Sequence, residues 1–294
     1  MRGGAWLLES PATMAIPLPL EDPTGAADLR GEAVAVAAHL AVRGIACAVE
    51  CVATTGSTNA DLVARARQAA PQQPWLRSAR RQSAGRGRLG RRWADAGAGS
   101  LLFSVAWPIA PLTAELPGVT LACGVAAARV CEAQGVAARI KWPNDLWLGE
   151  AKLAGLLAEL AVDPSGQRSL IVGLGLNLWT DAALRAELDA PVAALEQCLP
   201  RARIEAQRAH WLAQLAAALI EAGREHERAG LAPFLADYAR LDALAGRTVT
   251  AHRAGEAPTV GTAAGIDALG RLRIATPAGP VLLAGGEISV RPVP

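Results

Sequence analysis

The chain has 294 residues, 52% of them hydrophobic, and a formal net charge of +2. That is long enough for one large domain and a small one, and the charge does not demand a nucleic-acid partner. Its apolar letters, mostly Ala, Val and Leu, are broken every few positions by Arg, Gly or Pro, so the run of about 18 apolar residues that a membrane helix needs is missing.

Residues 1–16 lack the basic start, apolar stretch and cleavage site of a secretory signal, which predicts a cytoplasmic protein. Cys47, Cys51, Cys123, Cys131 and Cys198 show no CxxC spacing. Buried free thiols are expected, not a disulfide framework or a zinc site. Residues 1–26 are Pro-rich and aperiodic, a poorly ordered leader, and 27–42 suits a helix. Residues 1–46 are too short and proline-broken for a winged helix, so no DNA-binding domain is expected. A strand from Cys47 to Ala53 leads into Thr54-Thr55-Gly56-Ser57-Thr58-Asn59, whose hydroxyls suit the cap of a helix ending near Ala69.

Arg77 to Trp93 reads as an irregular loop, Ser100 to Trp107 as a strand and Leu116 to Gln134 as a helix. Arg139 to Trp147 reads as one strand interrupted by Pro143. Leu153 to Val162 and Ser169 to Leu178 form a hairpin around Asp163-Pro164-Ser165-Gly166. Ile204 to Gly223 and Leu231 to Leu241 are amphipathic helices. After Gly246 the recurring glycines mark short strands, a small all-β barrel. The expected boundaries are 47–243 for the main domain and 244–294 for the barrel.

Scarce residues point to a site. Lys141 and Lys152 are the only lysines among 29 basic residues, and Asn59, Asn144 and Asn177 are the only asparagines. A site that needs a compact ammonium cannot simply accept a guanidinium. Between Arg80 and Trp93 six arginines stand without an acid, a density that repels itself unless an anion neutralises it. Gly85, Gly87 and Gly90 let that backbone approach a ligand, and guanidiniums bind phosphate and carboxylate bidentately. These glycines spell GxGxxG without the flanking strand and helix of a dinucleotide site, and no GxxxxGK[ST] occurs. Alone, the loop equally suits a nucleic-acid-binding protein.

Lys141-Trp142-Pro143-Asn144-Asp145-Leu146 and Lys152-Leu153-Ala154-Gly155 bring an amide, a carboxylate and an ammonium together. Lys152 is expected to meet Asp145 across the intervening turn and keep its charge, as a ligand group. Lys141 reads as a structural ion-pair partner of Asp145. Gly173-Leu174-Gly175-Leu176-Asn177 is a strand bare on one face, with a donor and an acceptor at its end.

Taken in order, Gly56 to Asn59, Gln82 with Ala84 to Arg91, Lys141 to Leu146, Lys152 to Gly155 and Gly173 to Asn177 resemble the biotin protein ligases. Gly285-Gly286-Glu287-Ile288-Ser289 looks like that family's closing barrel motif, so the likeness covers roughly residues 47–294. It implies an α/β catalytic domain on a mixed sheet followed by an SH3-like barrel. It also implies activation of biotin by ATP and Mg²⁺ to biotinyl-5′-AMP, with transfer to a lysine of the biotin carboxyl carrier protein of acetyl-CoA carboxylase. A monomer or weak homodimer is expected.

By the same resemblance Ser57, Thr58, Asn59 and Gln82 contact biotin's ring, and Arg86, Gly87 and Arg88 lie on a ligand-gated loop. Lys152 reaches the carboxyl end, and Asn177 lies on the nucleotide side. Arg86, Arg88 and Arg91 suit the polyphosphate, and Trp93 is either a wall of the site or an ordinary core residue. Arg88, Lys152 and Asp145 are the expected catalytic groups, with Asp145 serving the acceptor amine. The nearest rival is a lipoate ligase or octanoyltransferase.

Overall fold

The computed structural model describes residues 23–93, 99–110, 116–180, 191–253, 255–285 and 288–293. The chain opens with α1 (Pro23–Val42), β1 (Ala48–Thr55), α2 (Thr58–Gln68) and β2 (Trp75–Gln82). It continues through β3 (Ser100–Ile109), α3 (Leu116–Ala133), β4 (Ala138–Lys141), β5 (Asp145–Leu148), β6 (Ala151–Val162) and β7 (Arg168–Asn177). Helices α4 (Arg201–Ala206), α5 (Arg208–Ala229) and α6 (Leu235–Leu241) follow. Last come β8 (Thr248–Arg253), β9 (Thr259–Ile266), β10 (Leu272–Thr276), β11 (Gly279–Leu283) and β12 (Ile288–Pro292).

The first seven strands form a mixed sheet in the order β1-β2-β3-β7-β6-β5-β4, parallel at the β1-β2 edge. The last five form an antiparallel sheet in the order β11-β10-β9-β8-β12. Both parts of the expected architecture are present. Among the described residues no helix is long and apolar enough to cross a membrane.

Strand β3 runs through the centre of the mixed sheet, buried at every position but Pro108, because both of its faces are covered. One face carries the main core with α1, α3 and α5. Gly223 makes that packing close, since a Cβ there would stand 2.1 Å from the Trp107 ring. The other face carries α2, whose Leu62, Val63 and Ala66 pack on Ala106, Ala161 and Ile171. An 11-residue helix is only about 16 Å long, so α2 covers only part of this face.

Several local expectations need correction. Arg77 to Gln82 is strand β2, not loop: Leu76, Ser78 and Ala79 are buried, and alternation turns Arg77 to Glu50 and Asp61. Arg80 pairs with Asp28 and Glu32 of α1. Helix α1 starts at Pro23, at the helical position where a missing N–H costs least; residues 1–22 lie outside the described residues. Arg139 to Trp147 is two antiparallel strands, since Pro143, lacking an N–H, lies in the turn between β4 and β5. The first C-terminal helix is likewise two, with Gln207 between α4 and α5. Cys198 is exposed, whereas Cys123 and Cys131 are buried.

The second sheet buries Val249, Ala251, Ala263, Leu272, Ile274 and Val290 on one face. It is docked by Trp142, whose Nε1 donates to the Gly270 carbonyl at 2.9 Å, and by the Arg247–Glu150 pair at 2.9 Å.

Helix α1 is tied down by a buried charge cluster. Arg208 and Glu32 are both almost fully buried and 3.4 Å apart, and Arg208 also donates to the Ser100 carbonyl at 3.1 Å. Burial pulls the Arg208 pKa down to about 10. Glu32→Ala strands that cation and is expected to destabilise the protein by about 3–5 kcal/mol. Urea unfolding checks this, and a loss below about 0.5 kcal/mol, the size of an ordinary surface change, would show that the cluster does not hold α1.

Candidate active site

The site begins where α2 does. Ser57 is the N-cap, its Oγ accepting from the Ala60 N–H at 3.4 Å, which satisfies a donor the helix leaves open. Thr58 and Asn59 thereby sit on the sheet face, buried with Ser57 and Ser104. Gln82 Oε1, at the end of β2, accepts from the Thr58 N–H at 2.7 Å and from Thr58 Oγ1 at 3.1 Å. Thr58 Oγ1 lies 2.8 Å from Ser104 Oγ, and Ser104 Oγ donates to Asn59 Oδ1 at 2.6 Å. One wall of the cavity is thus lined with hydroxyls and amides whose positions are fixed by one another.

The bare strand face is occupied. Gly155 and Gly175 are partners in the β6-β7 ladder, and Trp93 lies across them. A Cβ at Gly175 would stand 2.6 Å from the Trp93 ring, and one at Gly155 would stand 3.0 Å from it. Two residues along, a Cβ at Gly173 would stand 2.3 Å from Asn59 Oδ1. The alternate glycines therefore admit an indole and an amide that any larger residue would exclude.

Arg86 to Arg92 folds as a narrow flap. Arg86 and Arg92 bridge each other, and the Gly87 N–H donates to the Arg91 carbonyl at 2.7 Å. The turn at its tip uses Gly90 at φ 69°, a left-handed conformation open to glycine. Arg88 reaches from this turn to donate to Asn144 Oδ1 at 3.0 Å. Asn144 in turn donates to the Leu156 carbonyl at 2.8 Å, so the amide links the flap to β6. Burial pulls the Arg88 pKa below its ordinary value despite the nearby Asp145.

Lys152 Nζ lies 2.8 Å from Asp145 Oδ1 and 5.3 Å from the centre of the Trp93 ring, within cation–π range. Lys141, expected as Asp145's ion-pair partner, instead holds its Nζ 5.9 Å from the Trp147 ring. Burial lowers the Lys141 pKa more than the nearby Asp145 raises it.

The structure gathers the candidate site residues around one cavity, with Asn177 as the exception, and of the three loop glycines only Gly87 lines it. Asn177 is buried and donates to the carbonyls of Lys152 at 3.3 Å and Ala193 at 3.0 Å. It holds the segment that also pairs with the Lys152 backbone through Pro191 and Ala193. Among the other lining residues, Ser104, Asn144, Ile288 and Ser289 had no role assigned from the sequence. Asn144 had a signal in its scarcity, and Ile288 and Ser289 in the closing motif; Ser104 had none. Among the described residues no three His, Cys, Asp or Glu side chains gather to hold a metal ion.

Comparison with known proteins agrees with this geometry. Residues 51–177 match the Biotin/lipoate A/B protein ligase family, and residues 245–291 match the Biotin protein ligase C terminal domain. The biotin--[acetyl-CoA-carboxylase] ligase of Mycobacterium tuberculosis is 32% identical over 257 residues, which are 82% of this chain and 88% of that protein. The bifunctional ligase/repressor BirA of Escherichia coli is 34% identical over 211 residues, 71% of this chain, and the chain spans 64% of that protein's length. The structure of the Aquifex aeolicus biotin protein ligase in complex with biotin and ATP shares the fold, with a TM-score of 0.67 at 24% identity over 84% of this chain and 99% of that one. The chain belongs to the biotin protein ligase family.

Gly175→Ala is expected to push Trp93 off the strand and loosen the flap that precedes it. Limited trypsin digestion should then cut at Arg86, Arg88 and Arg91 several-fold faster with far-UV circular dichroism unchanged; an unaltered cleavage rate would mean that Trp93 does not anchor the flap.

Proposed function

We propose that this chain activates biotin with ATP as biotinyl-5′-AMP and passes the biotinyl group to one lysine of the biotin carboxyl carrier protein of acetyl-CoA carboxylase. The supporting observation is the position of Lys152: a lysine held by Asp145 at 2.8 Å, lying in one cavity with a hydroxyl-lined wall and an arginine flap. The Mycobacterium tuberculosis relative is named a biotin--[acetyl-CoA-carboxylase] ligase.

Biotin's carboxylate must attack the α-phosphorus of ATP, and two anions repel on approach. Lys152 and Arg88 supply fixed positive charge where they meet, and such preorganised charge is usually the largest catalytic contribution. Arg88 is desolvated in the flap, which strengthens its attraction for an anion. Arg86 and Arg91 neutralise the polyphosphate. Trp93 walls the passage between the ring pocket and Lys152, and Asn177 serves the nucleotide side by holding the 191–193 segment behind Lys152.

The ureido ring is neutral and polar, so Ser57, Thr58, Asn59 and Gln82 suit it. Ser57 Oγ already accepts from Ala60 and keeps its proton to donate to the ureido oxygen. The lipoyl ring of the rival substrate offers sulfur and no N–H donor, a poorer match to this wall.

Asp145 is the one carboxylate among the described lining residues. A magnesium ion carried on ATP's phosphates fits this donor set better than a protein-built cage, because Mg²⁺ commonly takes one or two carboxylates with phosphate and water. Asp145 would be the protein oxygen that holds such an ion, whose charge would offset that of the phosphates.

The acyl-adenylate is a mixed anhydride prone to hydrolysis, and the flap, seated on Asn144 through Arg88, excludes water from it. The acceptor lysine's amine then attacks the acyl carbon as AMP leaves, with Asp145 orienting it and taking its proton. This reading implies a cytoplasmic enzyme, a monomer or weak homodimer.

A pyrophosphate-release assay with biotin against lipoate as the only variable tests the substrate: release with lipoate alone would overturn the biotin assignment. Lys152→Ala should lower biotin-dependent release on the order of 10²- to 10³-fold, and near-normal release would remove Lys152 from the mechanism. Arg88→Gly should free the adenylate to label bystander proteins, seen by streptavidin blot; labelling confined to the carrier protein would deny the flap its retaining role.

A further inference from the structure

Glu159 lies on β6, on the same face as Gly155 and Leu157, and is not among the residues that line the cavity. Its Oε2 accepts from Asn59 Nδ2 at 2.7 Å, and the Leu157 carbonyl accepts from the same nitrogen at 3.4 Å. An ionised carboxylate accepts hydrogen bonds and cannot donate them. The Asn59 amide is therefore fixed with its nitrogen towards Glu159 and its oxygen towards Ser104.

The geometry points to Glu159 as a positioning residue that sets the hydrogen-bond polarity of the ring pocket, so that the pocket selects a ring bearing N–H donors. This rests on the biotin reading above. Ser104 commits its single proton to Asn59 Oδ1 at 2.6 Å. At the 2.8 Å contact between the two hydroxyls, Ser104 can therefore only accept, and Thr58 is the one with a proton to give. Gln82 Oε1 is the other acceptor within reach of that Thr58 proton. On either path Thr58 has no proton for a ligand and turns lone pairs to the cavity. A cyclic urea N–H finds its acceptor there, whereas a ring without N–H leaves that acceptor unpaired, which a buried site penalises strongly.

Gly173 is part of the device, because a Cβ there would stand 2.3 Å from Asn59 Oδ1 and drive the amide out of line. The charge itself is dispensable; what matters is an acceptor opposite a donor.

The test breaks the contact between residues 59 and 159 and then restores it. Asn59→Asp sets a second acceptor against Glu159 and is expected to raise the KM for biotin about tenfold or more, the scale of one lost buried hydrogen bond. Under the same conditions the KM for ATP should stay within about twofold. Adding Glu159→Gln to Asn59→Asp supplies a donating amide on the opposite side and is expected to recover most of the biotin KM. Glu159→Ala should shrink the preference for biotin over an isosteric ring in which oxygen replaces each N–H.

Equal losses in the single and double variants, or a biotin KM and an ATP KM that rise together, would overturn the proposal and leave Glu159 a structural residue. An unchanged preference in Glu159→Ala would overturn it as well. Absence of biotin-dependent pyrophosphate release in the unsubstituted protein would instead remove the biotin reading itself.

Discussion

A β-sheet can hold a ligand against its backbone only where it gives up side chains, and this molecule does so at Gly155, Gly173 and Gly175. The surrender is local. On the opposite face the same strands contribute Leu156, Leu174 and Leu176 to the main core. Trp93 and Asn59 enter the space the glycines leave. The flap reaches the sheet through the first of these residues and the hydroxyl wall through the second. Were these positions ordinary strand residues, the ring pocket and the flap would lose their seats together.

Charge is distributed with the same economy. Arg77 and Arg80 belong to the arginine-rich stretch but are absorbed by acids of β1, α2 and α1. Those that face the cavity, Arg86, Arg88, Arg91 and Arg92, stand with Lys152 around a single lining carboxylate among the described residues. A cavity so arranged repels cations and gathers anions. Lys152 stays in place because Asp145 and the Trp93 ring hold it from two sides.

Much of this was legible beforehand, for identifiable reasons. The β6-β7 hairpin was readable because its turn residues carry their own geometry, and the α2 start because Ser57 is a capping residue. The two lysines stood out because arginine had replaced lysine everywhere else. The opening of the arginine-rich stretch misled, since its alternation was hidden: arginine occupies both the buried-facing and outward positions of β2, and its neutralising acids come from distant elements. The pairing of Lys141 was misjudged because spacing along a hairpin does not say which of two lysines a carboxylate takes. Ser104 had no signal, being one serine inside a strand of apolar residues, and its role exists only because β3 and β7 set it opposite Gly173.

The seam between the two sheets has a further consequence. Trp142 adjoins Pro143 and Asn144 in the turn that bears the cavity, and its indole is pinned to the Gly270 carbonyl, while Ile288 and Ser289 at the head of β12 also line the cavity. The C-terminal sheet is thus a piece of the vessel rather than an appendage, and a chimera that borrowed it from a distant relative would inherit a differently shaped cavity with every lining side chain of the first sheet still in place.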